Sequence, residues 1–458
     1  MNKEILKQLG DILGRDHLLT APEELACYSF DGSGGDVPPQ AVAFPENTTQ
    51  ISKIMQLANK YRIPIVPRGA GSGMTGGAVP LKQGLVLVMN RMNRILEIDR
   101  DNMIAVAEPG VITGELQATL KKQGLMYPPD PASLKFCTLG GNAAECAGGP
   151  SAVKYGVTRD YIIGCEAVMP TGKIITTGVR TEKGVTGYDL THLLIGSEGT
   201  LVIFTKLILR LLPLPEAGKT FLLLFTCIDQ AVQLVAELLQ SGIMPCTMEY
   251  MDHTAISVVR DRLPSPLPEK TEALLLLELD GSRSEVQQQT DRLRKFLAAR
   301  PVTLQEAENE AQRQRLWQAR RSISPATFSL KPHKISEDVV VPRSKIPTLV
   351  RFTSTLAEKL KLIILTFGHA GDGNIHVNIM IDKNDPEEYK RGQEAKKQLF
   401  RQVITLGGTL SGEHGIGTTK ATFLSLEITP ETLELMWDIK QLFDPNNILN
   451  PGKIFIDE

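Results

Sequence analysis

Residues 67–77 read Pro67-Arg68-Gly69-Ala70-Gly71-Ser72-Gly73-Met74-Thr75-Gly76-Gly77. A strand-like run, Ile63–Val66, feeds directly into them. Successive backbone N–H groups in such a loop form an anion-binding concavity, and glycine lets the backbone approach a phosphate closely. Gly71, Gly73 and Gly76 satisfy the spacing G-x-G-x-x-G, and the acidic Glu97 and Asp99 follow about 20 residues on, as in a Rossmann dinucleotide fold. That fold requires a helix to begin where the loop ends, so that its dipole meets the pyrophosphate. Here the loop runs into Gly77, Pro80 and Gly84, and then into another strand-like run, Leu85–Met89. The Rossmann reading, and an NAD-dependent dehydrogenase with it, fails on this context. Phosphate binding by the loop is preferred to a turn-rich surface loop without a ligand.

Two further segments reinforce it. Tyr127–Gly149 opens with Tyr-Pro-Pro-Asp-Pro-Ala-Ser and, after a spacer, continues Thr-Leu-Gly-Gly-Asn-Ala-Ala-Glu-Cys-Ala-Gly-Gly. Small residues there let a flat cofactor lie against backbone. Gly196–Thr200, Gly-Ser-Glu-Gly-Thr, precedes a long apolar strand pattern. In this order and spacing the segments resemble the FAD-binding domain of the vanillyl-alcohol oxidase and p-cresol methylhydroxylase superfamily, over residues 38–215. The resemblance implies that Pro67, Arg68, Gly69, Ala70, Gly71, Ser72 and Gly76 meet the FAD pyrophosphate. It implies that Asp130, Ser133, Thr138, Gly141, Asn142, Ala147, Gly148, Gly149, Glu198 and Ile203 line the rest of the cofactor. Relatives that attach FAD covalently through this loop carry histidine where this chain has Ser72, so FAD is expected to be non-covalent. Cys146 stands where relatives usually have asparagine, and reads as a small buried residue.

Outward from the flavin zone the pattern changes. An amphipathic helix is expected within residues 1–37, from Ile5, Leu9, Ile12 and Leu13. Residues 38–215 hold short strand patterns such as Ile104–Ala107, Tyr161–Met169, Lys173–Thr177 and Thr200–Leu211, with helices at Ile51–Tyr61 and Thr113–Lys122. Pro215–Gly218 reads as a linker. Beyond it, Thr220–Thr226 leads into a helix pattern at Gln230–Gln240, and Ala273–Leu279 into another at Ser284–Ala299. Two such units predict a ferredoxin-like substrate (cap) domain over 216–410, with antiparallel strands and helices on one face. Residues 411–458 form a C-terminal segment expected to complete the active site. The fold class is therefore α+β.

Of seven histidines, three sit in two Gly-rich stretches, Phe367-Gly-His-Ala-Gly-Asp-Gly-Asn-Ile-His376 and Ser411-Gly-Glu-His-Gly-Ile-Gly417. Both read as loops. His369, His376 and Glu413 offer two nitrogens and one oxygen, a set that suits zinc, iron or manganese and leaves positions open for a bidentate hydroxy acid. There is no H-E-x-x-H to support a zinc protease. The two stretches resemble the C-terminal domain of FAD-linked 2-hydroxy-acid dehydrogenases, a family that includes D-lactate dehydrogenase, the glycolate oxidase FAD subunit and D-2-hydroxyglutarate dehydrogenase. Counting both domains, the match covers nearly the whole chain. The resemblance implies His369, His376 and Glu413 as metal ligands and His414 as catalytic base. It points to Arg320 and Lys334 as carboxylate-binding residues. Ser324 stands where relatives often have threonine, Arg321 competes with Arg320 for the inward position, and Asn450 is expected to return to the flavin. The implied reaction oxidises a small 2-hydroxy acid, D-lactate or glycolate before D-2-hydroxyglutarate, to the 2-oxo acid. A non-catalytic FAD-binding scaffold is the alternative, and the His-rich stretches argue against it.

Composition is consistent with this. Against 52 acidic residues stand 50 basic ones, so no charge excess argues for nucleic acid. No apolar run approaches the roughly 18 residues of a membrane span, and the N-terminus lacks a signal-peptide core. A cytoplasmic protein is expected, with peripheral docking to a membrane complex left open. The six cysteines form no C-x-x-C pair, so no internal iron–sulfur cluster is expected. Electrons must then go to another molecule, an electron-transferring flavoprotein, an iron–sulfur subunit or a quinone before direct reaction with oxygen.

Overall fold

A computed structural model describes residues 1–264 and 267–456. The chain divides into two compact units: Met1–Gly148, Gly156–Leu214 and Glu413–Glu458 form the first, and Gly149–Tyr155 with Pro215–Gly412 the second.

In the first unit a four-stranded sheet is ordered Leu18–Leu19, Ala41–Ala43, Leu85–Val88, Ile65–Arg68. The last three are parallel, with Val66 opposite Val86 and Arg68 opposite Val88. Their near-continuous Ala, Val, Ile and Leu content suits strands covered on both faces. The helix Thr48–Tyr61 starts at Asn47, whose side chain accepts from the Gln50 amide at 3.0 Å. Its Ile51, Ile54 and Met55 share a core with Ile65, Leu85, Leu87, Val168 and Ile203. The last two come from a second, antiparallel sheet ordered Ile95–Asp99, Ile104–Ala107, Ile203–Arg210, Ile162–Val168, Ile174–Gly178. The C-terminal tail covers the open edge of the parallel sheet: Ile65 N–H donates to Ile448 O and Asn450 N–H to Ile65 O, both at 2.7 Å. The buried Lys440 ammonium pins this tail, donating to Leu449 O at 2.8 Å and Thr200 O at 3.0 Å.

The second unit is one seven-stranded antiparallel sheet. Its first four strands lie in the order Thr303–Glu306, Ala217–Phe225, Ala273–Gly281, Thr247–Asp252. Numbered along the chain this is 4-1-3-2, the ferredoxin-like arrangement, with helices Ile228–Gln240 and Arg283–Leu297 as its crossovers. The sheet then continues through Ile363–His369, Asn374–Ile381 and His333–Val340, which the sequence patterns did not resolve. The segment Gly149–Tyr155 joins this unit through Asp280, which pairs with Lys154 at 2.5 Å and accepts from the Tyr155 hydroxyl at 2.6 Å.

Candidate active site

The Gly-rich stretch 67–77 begins in the strand Ile65–Arg68 and then turns. Gly71 has φ +68°, and a Cβ there would lie 2.2 Å from the Arg68 guanidinium, so only glycine fits. Arg68 is buried beneath the turn. Its guanidinium donates to Phe30 O at 2.7 Å, and burial lowers its pKa. Held by that bond and packed under Gly71, the side chain braces the loop from below. Thr138 adjoins Gly69 and caps the helix Leu139–Glu145, accepting from the Gly141 amide at 3.2 Å. Asn142 donates to Thr113 at 2.7 Å, and Ala147 O accepts from the Thr158 hydroxyl at 2.7 Å. Cys146 ends that helix in the left-handed region, φ +54°, a conformation asparagine tolerates better than most residues. Ile203 is buried in the core. Gly149 begins the segment assigned to the other unit.

Glu198 and Asn450 have roles that spacing does not reveal. The buried Glu198 carboxylate accepts from the amides of Ile416 and Gly417 at 2.7 and 2.6 Å. Burial raises its pKa, opposed by those amides and by Lys420 and Lys453. Thr75, inside the glycine-rich loop, donates its hydroxyl to His414 O at 2.9 Å and accepts from the Thr418 amide at 2.8 Å. The backbone around His414 is thus fixed by the loop on one side and by Glu198 on the other. Glu413 adjoins Gly148, and its carboxylate lies 3.9 Å from His414 Nε2. Asn450 donates to Gly77 O at 3.0 Å and Glu198 O at 2.9 Å, while its Oδ1 is buried without a hydrogen-bond partner. Ser197 Oγ is in the same condition. Such orphans cost about 1–3 kcal/mol each unless a ligand satisfies them. Together with the braced loop they fit a flat, hydrogen-bonding cofactor carrying a phosphate.

In the second unit the stretch 367–376 is a β-hairpin rather than a loop. Phe367 pairs with His376 and His369 with Asn374 across a turn of residues 370–373. Gly368 permits it, because a Cβ there would lie 2.4 Å from Asn374 O. Register partners share a sheet face, so His369 and His376 project together, with ring centroids 5.2 Å apart. The same face carries Glu249, in register with His369, and Asp338, Ser336 and Lys334 opposite His376, Asn378 and Met380.

Glu249 is fully buried, accepting from His369 Nδ1 at 2.6 Å and pairing with Arg320 at 2.5 Å. Burial would raise its pKa, but Arg320 and then His369 outweigh that and hold it low. The carboxylate can only accept, so Nδ1 carries the hydrogen and the Nε2 lone pair is directed away from Glu249. Arg320 is 8% exposed and lies over the Phe367 ring at 5.0 Å, whereas Arg321 is exposed beside Trp317. Packing thus selects Arg320 as the inward arginine. Lys334 donates to Ser324 Oγ at 2.6 Å, and burial lowers its pKa to about 8. Ser336 donates to Asn378 Oδ1 at 2.9 Å, which leaves Asn378 Nδ2 as a buried donor without a partner. Gly412 N–H donates to Asp338 at 2.9 Å, and Glu413 is the next residue in the chain. Two imidazoles on one sheet face suit a borderline divalent cation, and Arg320, Lys334 and Asn378 suit a carboxylate. Glu249 and Asn378 escaped sequence reasoning because each sits in an ordinary strand pattern, and only the sheet register brings them to this face.

Known proteins agree with both halves. The family described as FAD binding domain matches residues 39–178, and that described as FAD linked oxidases, C-terminal domain, matches residues 214–454. The chain is 42% identical to glycolate oxidase subunit GlcD of Bacillus subtilis (strain 168), over 99% of this chain and 97% of that one. It is 32% identical to D-lactate dehydrogenase of Anaerostipes hadrus, over 97% and 94%. The crystal structure of p-cresol methylhydroxylase with substrate bound shares the fold, with a TM-score of 0.81 at 19% identity over 99% of this chain and 96% of that one. No helix among the described residues is long and apolar enough to cross a membrane. With its flavin-domain fold and its C-terminal domain both matched, the chain belongs to the FAD-linked oxidase family.

Proposed function

We propose that the protein oxidises a small 2-hydroxy acid, D-lactate or glycolate, to the corresponding 2-oxo acid. The observation that carries this reading is the single sheet face in the second unit where His369, His376, Asn378 and Lys334 project together, with Arg320 ion-paired to Glu249 of the same face. One substrate carboxylate and the hydroxyl beside it would engage both kinds of group. FAD, when bound non-covalently by residues 67–77 and the segments that follow, supplies the hydride acceptor. His369, His376 and Glu413 would hold a divalent cation, whose Lewis acidity makes an adjoining hydroxyl easier to deprotonate. His414 takes the hydroxyl proton. Arg320 forks onto the carboxylate and fixes which face of C2 is presented, with Lys334, hydrogen-bonded to Ser324, and Asn378 completing the anion site. The scattered cysteines leave no cluster ligand set, so reoxidation falls to an electron-transferring flavoprotein, an iron–sulfur subunit or a quinone.

The test is anaerobic. D-lactate, L-lactate, glycolate and D-2-hydroxyglutarate are added separately to the purified protein, and flavin bleaching is followed in the visible band. Rapid bleaching by D-lactate or glycolate, suppressed by a chelator and restored by metal, is expected. No bleaching by any of them with metal supplied would overturn the reading.

Lys334 adds a pH signature. Its ammonium is charged below about pH 8 and neutral above it. Carboxylate affinity should therefore fall as pH rises through that value, giving a descending limb in kcat/KM, which reports the free enzyme. Lys334→Arg keeps the charge at all working pH values and should remove the limb. A limb unchanged in this variant would assign it to another group.

A further inference from the structure

We propose that Glu249 is a positioning residue that fixes the ring tautomer of His369 and the direction of the Arg320 guanidinium, so that one side chain sets both the metal-binding and the carboxylate-binding halves of the site. This rests on the reading of His369 and Arg320 given above.

The strand Thr247–Asp252 places Glu249 directly opposite His369. The carboxylate's Oε1 accepts from His369 Nδ1 at 2.6 Å, and its Oε2 faces Arg320 Nη2 at 2.5 Å as an ion pair. A metal-ligating histidine commonly gives its second nitrogen to a carboxylate, which orients the ring and holds the coordinating lone pair. Arg320 belongs to the helix Glu310–Arg321, which Glu278 anchors to the sheet by accepting from Trp317 Nε1 at 2.8 Å and from Arg313 at 2.6 Å. Glu278 therefore sets where the helix lies, and Glu249 sets where its last inward side chain points. An ion pair serving stability alone would need only one partner, since buried pairs are often replaceable by apolar residues without loss. Glu249 faces two partners, the His369 Nδ1–H and the Arg320 guanidinium, and both belong to the proposed chemistry.

Glu249→Gln keeps the shape but removes the charge. Its amide can also donate to Nδ1, which frees the imidazole to take the opposite tautomer and leaves Arg320 without a counter-charge. Two measurements test the role. In metal-free wild-type protein, the ring ¹⁵N shifts of His369, assigned by their loss in His369→Gln, should report the Nδ1–H form. In Glu249→Gln, the Kd for Zn²⁺ by competition with a colorimetric chelator should rise about 10–100-fold, while FAD content stays at the wild-type level. The affinity for oxalate, a non-reacting dicarboxylate, should weaken as well. Wild-type His369 in the Nε2–H form, or a Glu249→Gln protein that binds Zn²⁺ as tightly as wild type, would overturn the proposal. Should Glu249→Gln fail to fold, the wild-type tautomer decides alone. A wild-type protein that binds no Zn²⁺ would instead overturn the metal reading itself, and this inference with it.

Discussion

Replacing His414 with alanine should lower the rate of flavin reduction by about 10²–10⁴-fold, the range over which one general base contributes, while FAD remains bound. The second half of that expectation follows from how the segment is held. Every anchor of residues 414–418 described above is a backbone group: His414 O to Thr75, the Ile416 and Gly417 amides to Glu198, and the Thr418 amide to Thr75. Removing the imidazole leaves these bonds in place. The fall should appear in single-turnover reduction under anaerobic conditions, with the ratio of flavin to protein absorbance unchanged. Near-full activity in His414→Ala would end its assignment as base. Loss of flavin together with activity would make it a structural residue of the cofactor site.

Arg320→Ala should produce two losses with separate causes. The first is in catalysis. A forked guanidinium contributes two charged hydrogen bonds to a carboxylate, each worth about 1.5–3 kcal/mol. A loss of about 3–6 kcal/mol corresponds to roughly 10²–10⁴-fold in kcat/KM. Arg320→Lys should recover little of it, because a point charge cannot reproduce the fork. The second loss is in folding. Alanine leaves the fully buried Glu249 carboxylate with only His369 as counterpart, and breaking a buried pair from one side costs about 3–5 kcal/mol. The double variant Glu249→Gln/Arg320→Met removes both charges and should regain most of the melting temperature but none of the activity. A double variant that regained activity would remove Arg320 from the substrate site. One no more stable than Arg320→Ala would show that the burial cost lies elsewhere. If Arg320→Ala kept wild-type kcat/KM, the carboxylate would have to be bound by Lys334 and Asn378 without it.

Much of the architecture was legible in residue patterns. The Gly-rich stretch 67–77 excluded a Rossmann helix, and the chain does pass from it into the strand Leu85–Val88. The strand Ile104–Ala107 appears with the bounds that its apolar run predicts. Two strand–helix repeats announced the ferredoxin-like order in the second unit, because crossover helices and antiparallel strands leave distinct periodicities. The stretch 367–376 reads as a loop from its composition, but its ends are paired strands. Its glycines serve a close cross-strand approach at Gly368 and a tight turn, and glycine composition alone does not distinguish those uses from irregular chain.

By itself the sequence determined the α+β class, and it offered residues 67–77 as a candidate phosphate loop and His369, His376, Glu413 and His414 as candidate site residues, because glycine freedom and ligand chemistry are properties of residue type and local order. Tertiary structure alone decided that Arg320 rather than Arg321 turns inward, that Glu198 holds the backbone beyond His414, and that Glu249 and Asn378 join the polar face. Each of those facts depends on which strand lies opposite which, or on which side of a helix is covered. Register and burial are set by packing between segments more than 100 residues apart, such as Glu249 and His369, and no local pattern in either segment encodes the other's position.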